Sequence, residues 1–332
     1  MGEYEVSIVM PVYNEEQYIV KCVESILLQD FDKEKLEVVF VDGCSTDKTA
    51  EILNEFTKKH SFIKVYQNPY KTVQYALNIG IKNALGEYIV RMDAHSEYAA
   101  DYVSKCLQFL KETDAVNVGG PMIAKGKTSM QKVIAAAYHS SFALGGGKFH
   151  EENFCGYADT VYLGSYKRET IIEYGLYDEN FPRSEDDELN LRITQNGGKI
   201  FISPEIKSVY YPRASIKALF SQYYEYGLWK PAVIKKHKKP ARLSHLIPVL
   251  FVLFLSLGFI ASFFNLLTAI GYSSILSLYL LMDIYFSFKN KYISGFTNKL
   301  ILVFVHAVLH VSYGIGFLFG IFKFMIFNKK KI

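Results

Sequence analysis

Short apolar runs rich in Val and Ile alternate, through the first 120 residues, with stretches whose apolar residues recur every three or four positions. The runs at 6–12, 36–41, 62–67, 87–92 and 115–118 have the length of strands, and the stretches between them carry one-sided helical faces. Ile19, Cys22, Val23, Ile26 and Leu27 form one such face, with Asn14 as the expected N-cap. Ile52, Leu53 and Phe56 form a second behind a start near Thr46 or Asp47, and a third helix is expected over 72–84. Repeated strand–helix units of this kind predict an α/β fold, a mixed and mostly parallel sheet flanked by helices.

From 119 to 211 the pattern loosens and becomes glycine-rich, with Gly145-Gly146-Gly147 and an expected strand pair near 199–210. Irregular segments carried by a sheet are where substrate loops sit. The tail is different in kind. Over 215–230, Ile216, Leu219, Phe220, Tyr223, Tyr224, Gly227 and Leu228 share a face, and a basic run follows. That combination predicts an amphipathic helix in a membrane interface. Three apolar segments, 246–264, 270–288 and 300–327, each reach the ~20 residues that cross a bilayer. The expected division is a globular domain over 1–213, the interfacial helix and basic linker over 214–243, and a membrane region over 244–332.

Charge sharpens this division. Twelve Lys or Arg against a single acid, Asp283, follow Ile234, a balance of +11 that leaves −7 for the residues before it. The basic residues at 235–242, 289–299 and 329–331 flank the apolar segments, as membrane-flanking charge does, and nucleic acid does not account for the apolar stretches between them. All three clusters should prefer the cytoplasm. Three crossings leave the last one outside, and the alternative is a hairpin followed by a segment that dips and returns near Gly314, Gly316 and Gly320; three crossings are the expectation. Cys22, Cys44, Cys106 and Cys155 are scattered without metal spacing, which fits a reducing compartment. The chain enters its first strand without a leader pattern, so a multi-pass plasma-membrane protein with a cytoplasmic globular domain is expected.

Four motifs carry candidate chemistry. Pro11-Val-Tyr13-Asn-Glu15 ends the first strand at a helix start, the usual ligand edge of open α/β sheets. Asp42 follows the second strand and is left over for a ligand if Ser45, Thr46 and Asp47 cap the next helix. Asp93-Ala-His95 follows the fourth strand, and a carboxylate and imidazole projecting together suit Mn²⁺ or Mg²⁺ carrying diphosphate oxygens. Ser184-Glu185-Asp186-Asp187 opens a helix on which Asp186 shares a face with Leu189 and Ile193, whereas Glu185 shares one with Glu188 and Arg192. Asp186 is therefore the candidate base, with Asp187 as the fallback.

Together these residues resemble the inverting nucleotide-sugar glycosyltransferases of family 2, which have the GT-A fold, and among them the succinoglycan glucosyltransferase subgroup. The resemblance spans about residues 5–230. It implies that Pro11, Tyr13, Glu15, Asp42 and Asp93 bind a UDP-sugar donor, that Asp93 and His95 hold Mn²⁺ or Mg²⁺, and that Asp186 is the base. Asp187, Gly146 and Trp229 are acceptor-side candidates, and the acceptor is expected to be a polyprenyl-linked saccharide in contact with membrane lipid. Processive members carry a QxxRW motif; Gln222 and Trp229 are wrongly spaced and lack the Arg, so processive synthesis is not expected. Two other readings compete. A sugar-phosphate nucleotidyltransferase needs a Gly-rich basic loop that 10–17 lacks, and a non-catalytic membrane scaffold leaves Asp42 and Asp186 without a purpose.

Overall fold

Each of the five apolar runs becomes a strand in the computed structural model, which describes residues 3–240 and 242–327. The basic cluster at 329–331 lies outside the described residues. The chain divides into two units, Met1–Ile123 with Lys148–Tyr210, and Ala124–Gly147 with Tyr211–Ile332. Residues 124–147 thus go with the tail, although they interrupt the first unit in sequence.

The first unit is built on eight strands. In chain order they are β1 (Tyr4–Val12), β2 (Leu36–Asp42), β3 (Ile63–Gln67), β4 (Gly86–Arg91), β6 (Asn117–Gly120), β8 (Gly156–Ala158), β9 (Tyr162–Lys167) and β10 (Ile200–Ile202). They lie side by side in the order β3-β2-β1-β4-β9-β6-β10-β8. The β3-β2-β1-β4 half is parallel, and β9 runs antiparallel to both β4 and β6. Alternation along β1 feeds two cores: Val6, Ile8, Met10 and Val12 pack under α1 (Ile19–Leu27) and α4 (Tyr102–Glu112), while Val9 joins Leu77 and Ile81 of α3 (Val73–Asn83) on the other face. α2 (Thr49–Lys59) sends Leu53 inward as expected. α7 (Arg168–Glu173) and α8 (Glu185–Gln195) complete the helices, and Leu189 and Ile193 of α8 enter the second core.

Two local expectations are corrected. Asn14 does not cap α1, whose N-cap is Tyr18 without a side-chain bond; Asn14 sits at φ 55° and accepts instead from the Thr46 N–H at 2.8 Å. The last strands do not pair with each other, because β11 (Ser208–Tyr210) pairs antiparallel with β5 (Ser96–Tyr98) in a separate sheet while β10 joins the large one; a two-residue β7 (Ile123–Ala124) precedes the second unit.

The second unit is helical: α5 (Ser129–Tyr138), α6 (Ser141–Leu144), α9 (Ile216–His237), α10 (Ile247–Leu253), α11 (Phe259–Ala261), α12 (Leu266–Lys289) and α13 (Phe296–Gly320). Three stretches are long and apolar enough to cross a membrane: Leu243–Ala261, Leu266–Lys289 and Phe296–Ile326. α13 runs unbroken through Gly314 and Gly316, so these glycines make no turn. They serve close packing: a Cβ on Gly316 would stand 2.1 Å from the Tyr224 carbonyl oxygen of α9, and one on Gly320 2.3 Å from that of Leu228. The α9 and α13 backbones touch, which only a missing Cβ permits.

Gly316→Val should therefore cost about 1–3 kcal/mol by overpacking, seen as a lowered unfolding midpoint of the full-length protein in detergent. Gly271→Ala in α12, where nothing lies within 4 Å of the added carbon, should be neutral or stabilising.

Candidate active site

The site is assembled at the carboxyl edge of the parallel strands in the first unit. The loops after β1 and β2 are knitted together by side chains. Asn14 N–H donates to Ser45 Oγ at 2.9 Å, Glu15 N–H to Thr49 Oγ1 at 2.8 Å, and Glu16 N–H to Asp47 Oδ2 at 3.1 Å. Ser45, Thr49 and Asp47 thus hold the first loop more than they cap α2. Asp42 is not left over as the sequence suggested: it is buried and accepts from Ser45 N–H at 3.2 Å and Ser45 Oγ–H at 2.5 Å. The open surface of this edge is the ring of Tyr13, 44% exposed, which leans on Gly43; a Cβ there would lie 3.2 Å from the ring. Pro11 lies within β1, in register with Val41 of β2, one residue before Asp42.

Asp93 and His95 do not stand on an extended strand. β4 ends at Arg91, and Ser96 N–H donates to Asp93 O at 3.2 Å, so the two residues occupy a tight turn. Tyr98 anchors that turn: Asp93 N–H donates to its oxygen at 2.6 Å, and its hydroxyl reaches Asp93 O at 3.1 Å. Burial pushes the Tyr98 phenol well above its ordinary range, so it stays a neutral donor. The Asp93 side chain is 17% exposed, and His95 is half exposed with Nδ1 3.3 Å from Glu15 Oε1. Among the described residues no three His, Cys, Asp or Glu side chains form a closed metal cluster. One carboxylate and one imidazole at an open turn suit a hard divalent ion that takes most of its ligands from water and phosphate oxygens.

Arg91 is the residue that the motif reading passed over. It shares a strand face with Ile89, and its side chain is 6% exposed. The guanidinium meets Asp186 Oδ1 at 2.5 Å, Asp93 Oδ1 at 3.4 Å and Glu185 Oε1 at 3.7 Å, and lies 6.0 Å from the centre of the Tyr177 ring. One cation thus ties the Asp93 turn to the first turn of α8. The sequence held a signal for it: an Arg closing a buried strand must find carboxylates, and two acidic motifs were in view.

The acids of α8 divide differently from the expectation. Asp186 is 40% exposed, whereas Glu185 is 12% exposed and Glu188 wholly buried. Glu188 pairs with Arg192 at 2.7 Å, and Arg192 also donates to the carbonyl oxygens of Tyr174 and Leu176. The face shared by Glu188 and Arg192 is therefore satisfied internally and by the turn before α8. Asp187 is partly exposed. Asn190 of the same helix bonds Asn117 of β6 at 2.8 Å and Thr160 at 2.8 Å, which fixes the phase of α8 on the sheet. Burial, and after it the neighbouring Asp186 charge, pushes the Glu185 carboxyl up to about 8 against the pull of Arg91. Burial raises Asp186 too, with Arg91 opposing. Gly146, at φ 68°, and Trp229, buried against the Phe324 ring at 4.9 Å, lie in the second unit.

Known proteins resemble this chain in sequence and in fold. The description "Glycosyl transferase family 2" matches residues 7–164. The dolichyl N-acetyl-alpha-D-glucosaminyl phosphate 3-beta-D-2,3-diacetamido-2,3-dideoxy-beta-D-glucuronosyltransferase of Methanococcus voltae is 36% identical over 70% of this chain and 74% of its own length. The succinoglycan biosynthesis protein ExoA of Rhizobium meliloti is 30% identical over 73% and 74%. Among solved structures, the mannosyltransferase PcManGT from Pyrobaculum calidifontis, in complex with GDP-Man and Mn²⁺, superposes with a TM-score of 0.63 at 17% identity over 95% of this chain and 87% of that one, which is a likeness of fold.

Removing Arg91 leaves Asp93 and Glu185, both largely buried, without their cation, and Arg91→Met should destabilise by about 1–3 kcal/mol, measured by thermal or denaturant unfolding. Glu185 gives a pH test. Its carboxyl stands near 4.5 when unfolded and about 8 when folded, so the folded state binds the extra proton between these values and stability falls as pH rises through that window. Glu185→Gln, measured in chelator, should lose stability less steeply than the wild type from about pH 5 to 8; parallel curves would show that Glu185 does not titrate there.

Proposed function

This chain belongs to glycosyl transferase family 2, has the GT-A fold and carries C-terminal membrane-type helices, and on that footing we propose its reaction: inverting transfer of a sugar from a UDP-sugar to a lipid-linked saccharide in exopolysaccharide or cell-surface glycan synthesis. The observation that carries the reading is Arg91, whose contacts join Asp93 to Asp186. A donor-side group and a base are thereby held on one rigid cation. The M. voltae relative acts by name on a dolichyl-phosphate sugar, which supports a polyprenyl-linked acceptor here.

In this reading the uridine sits against Tyr13, with Pro11, Glu15 and Asp42 shaping the edge that receives it. Asp93 and His95 would hold Mn²⁺ or Mg²⁺, in keeping with the Mn²⁺ bound by PcManGT. The ion, when bound, neutralises charge on the diphosphate. Asp186 takes the proton of the acceptor hydroxyl as that oxygen forms its bond to the anomeric carbon, and the bond to the diphosphate breaks with its electron pair leaving on UDP. Attack from the face opposite UDP inverts the centre. Asp186 suits this role better than Glu185, because its side chain is 40% exposed against 12% and can come within reach of an acceptor hydroxyl. Asp187 stands beside the acceptor path. The enzyme is proposed to reside in the plasma membrane, with its catalytic unit in the cytoplasm.

The test is transfer by the full-length protein in membranes, using a panel of UDP- and GDP-sugars with extracted lipid acceptors. Asp186→Asn should lower the rate by about 10²–10⁴-fold while calorimetric UDP affinity is kept. Asp93→Asn should weaken UDP binding with Mn²⁺ present and much less in chelator. Transfer that is unchanged in Asp186→Asn would remove the base assignment, and a guanosine donor would correct the nucleotide.

A further inference from the structure

The three apolar stretches of the second unit are not equivalent. Those of 243–261 and 266–289 are 6% buried, whereas that of 296–326 is 50% buried within the protein. The first two form an antiparallel hairpin: Phe251 stacks on Tyr279 at 4.3 Å, and Phe254 packs on Tyr272 at 5.1 Å. Its tip, Phe263, Phe264, Leu266 and Leu267, is 75–81% exposed and uncharged. α12, at 24 residues, is about 36 Å long, enough to reach through the ~30 Å hydrocarbon layer.

α13 is wrapped instead. Along its first half, Phe142 of α6 packs on His306 at 5.6 Å and His310 at 5.3 Å, and His310 Nε2 bonds Phe142 O at 3.0 Å. Along its second half α9 runs in the same direction: Tyr224 abuts Gly316, Leu228 abuts Gly320, and Trp229 meets Phe324. The stretch of α9 so paired, residues 224–235, includes Glu225, Lys230 and Lys235. If α13 crossed a bilayer, α9 would have to go with it and carry these charges into the hydrocarbon, where they are costly. It would also carry Lys323 and the basic end of α9 to the far side, some 36 Å from Lys299 at its start. Laid along the surface, α13 brings Lys235, Lys236, Lys289, Lys291, Lys299 and Lys323 to one headgroup level, where anionic lipid attracts them.

We infer that α13 does not cross the membrane: both of its ends lie on one side, packed with α9 along a leaflet of anionic headgroups, and only the α10–α12 hairpin enters the hydrocarbon and returns. The expectation of three crossings gives way to an even number. Every basic cluster among the described residues then obeys the cytoplasmic preference.

The experiment is single-cysteine labelling of the full-length protein in sealed inside-out and right-side-out vesicles with a membrane-impermeant maleimide. Phe296→Cys and Phe327→Cys report the ends of α13, with Asn298→Cys and Ile326→Cys as second choices should either fail to fold, all with the native cysteines replaced. Phe264→Cys reports the hairpin tip, and the exposed Cys155 of the unmodified chain marks the catalytic side. Both α13 ends should label in the vesicles in which Cys155 labels and lose that labelling in vesicles of the other orientation, whereas Phe264→Cys should not label from the Cys155 side. Labelling of the two α13 ends from opposite sides, or of neither before detergent, overturns the inference. Labelling of Phe264→Cys from the Cys155 side overturns the inserted hairpin.

Discussion

A guanidinium that cannot shed its charge, sunk at the carboxyl edge of a sheet, sets the terms for everything around it. Arg91 reaches three carboxylates, and burying it without them would cost several kcal/mol. The acidic turn after β4 and the acidic opening of α8 therefore stand where they do for one electrostatic reason. Each alone would be an unstable concentration of negative charge. Joined through one cation they become a cleft edge with Asp93 on one flank and Asp186 on the other. Asp186 stays 40% exposed, and Glu185 takes the buried position and the high proton affinity.

Much of the scaffold was legible in the sequence because its signals are local. The five strands declare themselves by Val- and Ile-rich runs of strand length, and the helix faces of α1 and α2 by three-and-four spacing. Where the reading failed, the deciding partner was far away in the chain. Asn14 looked like a cap because caps are Asn; its side chain is taken by Thr46, 32 residues on. Glu188 and Arg192 share a charged helix face in the sequence, and they are satisfied by each other and by the 174–176 backbone that accepts from Arg192. Arg91 was overlooked because a motif reading ranks residues by chemistry and not by the burial they must endure.

The membrane-type unit shows the same limit. Hydropathy finds three equivalent segments, since composition is all it weighs, and α13 at a mean hydropathy of 2.0 scores as a crossing helix. Its glycines distinguish it: Gly314, Gly316 and Gly320 are contact points for the carbonyl oxygens of Pro248, Tyr224 and Leu228. Half of the apolar stretch of 296–326 serves protein packing, whereas those of 243–261 and 266–289 face almost wholly outward.

The placement of α5 and α6 bears on how the protein is made. Phe142 meets His310 and Ala136 meets Asn290, pairs 168 and 154 residues apart. At about 5–20 residues per second, the ribosome delivers α13 roughly 10–30 s after α6. During that interval the contacts that α5 and α6 make with 290–310 are not yet formed. A segment that interrupts the first unit in sequence thus completes its packing only when the last helix has been made.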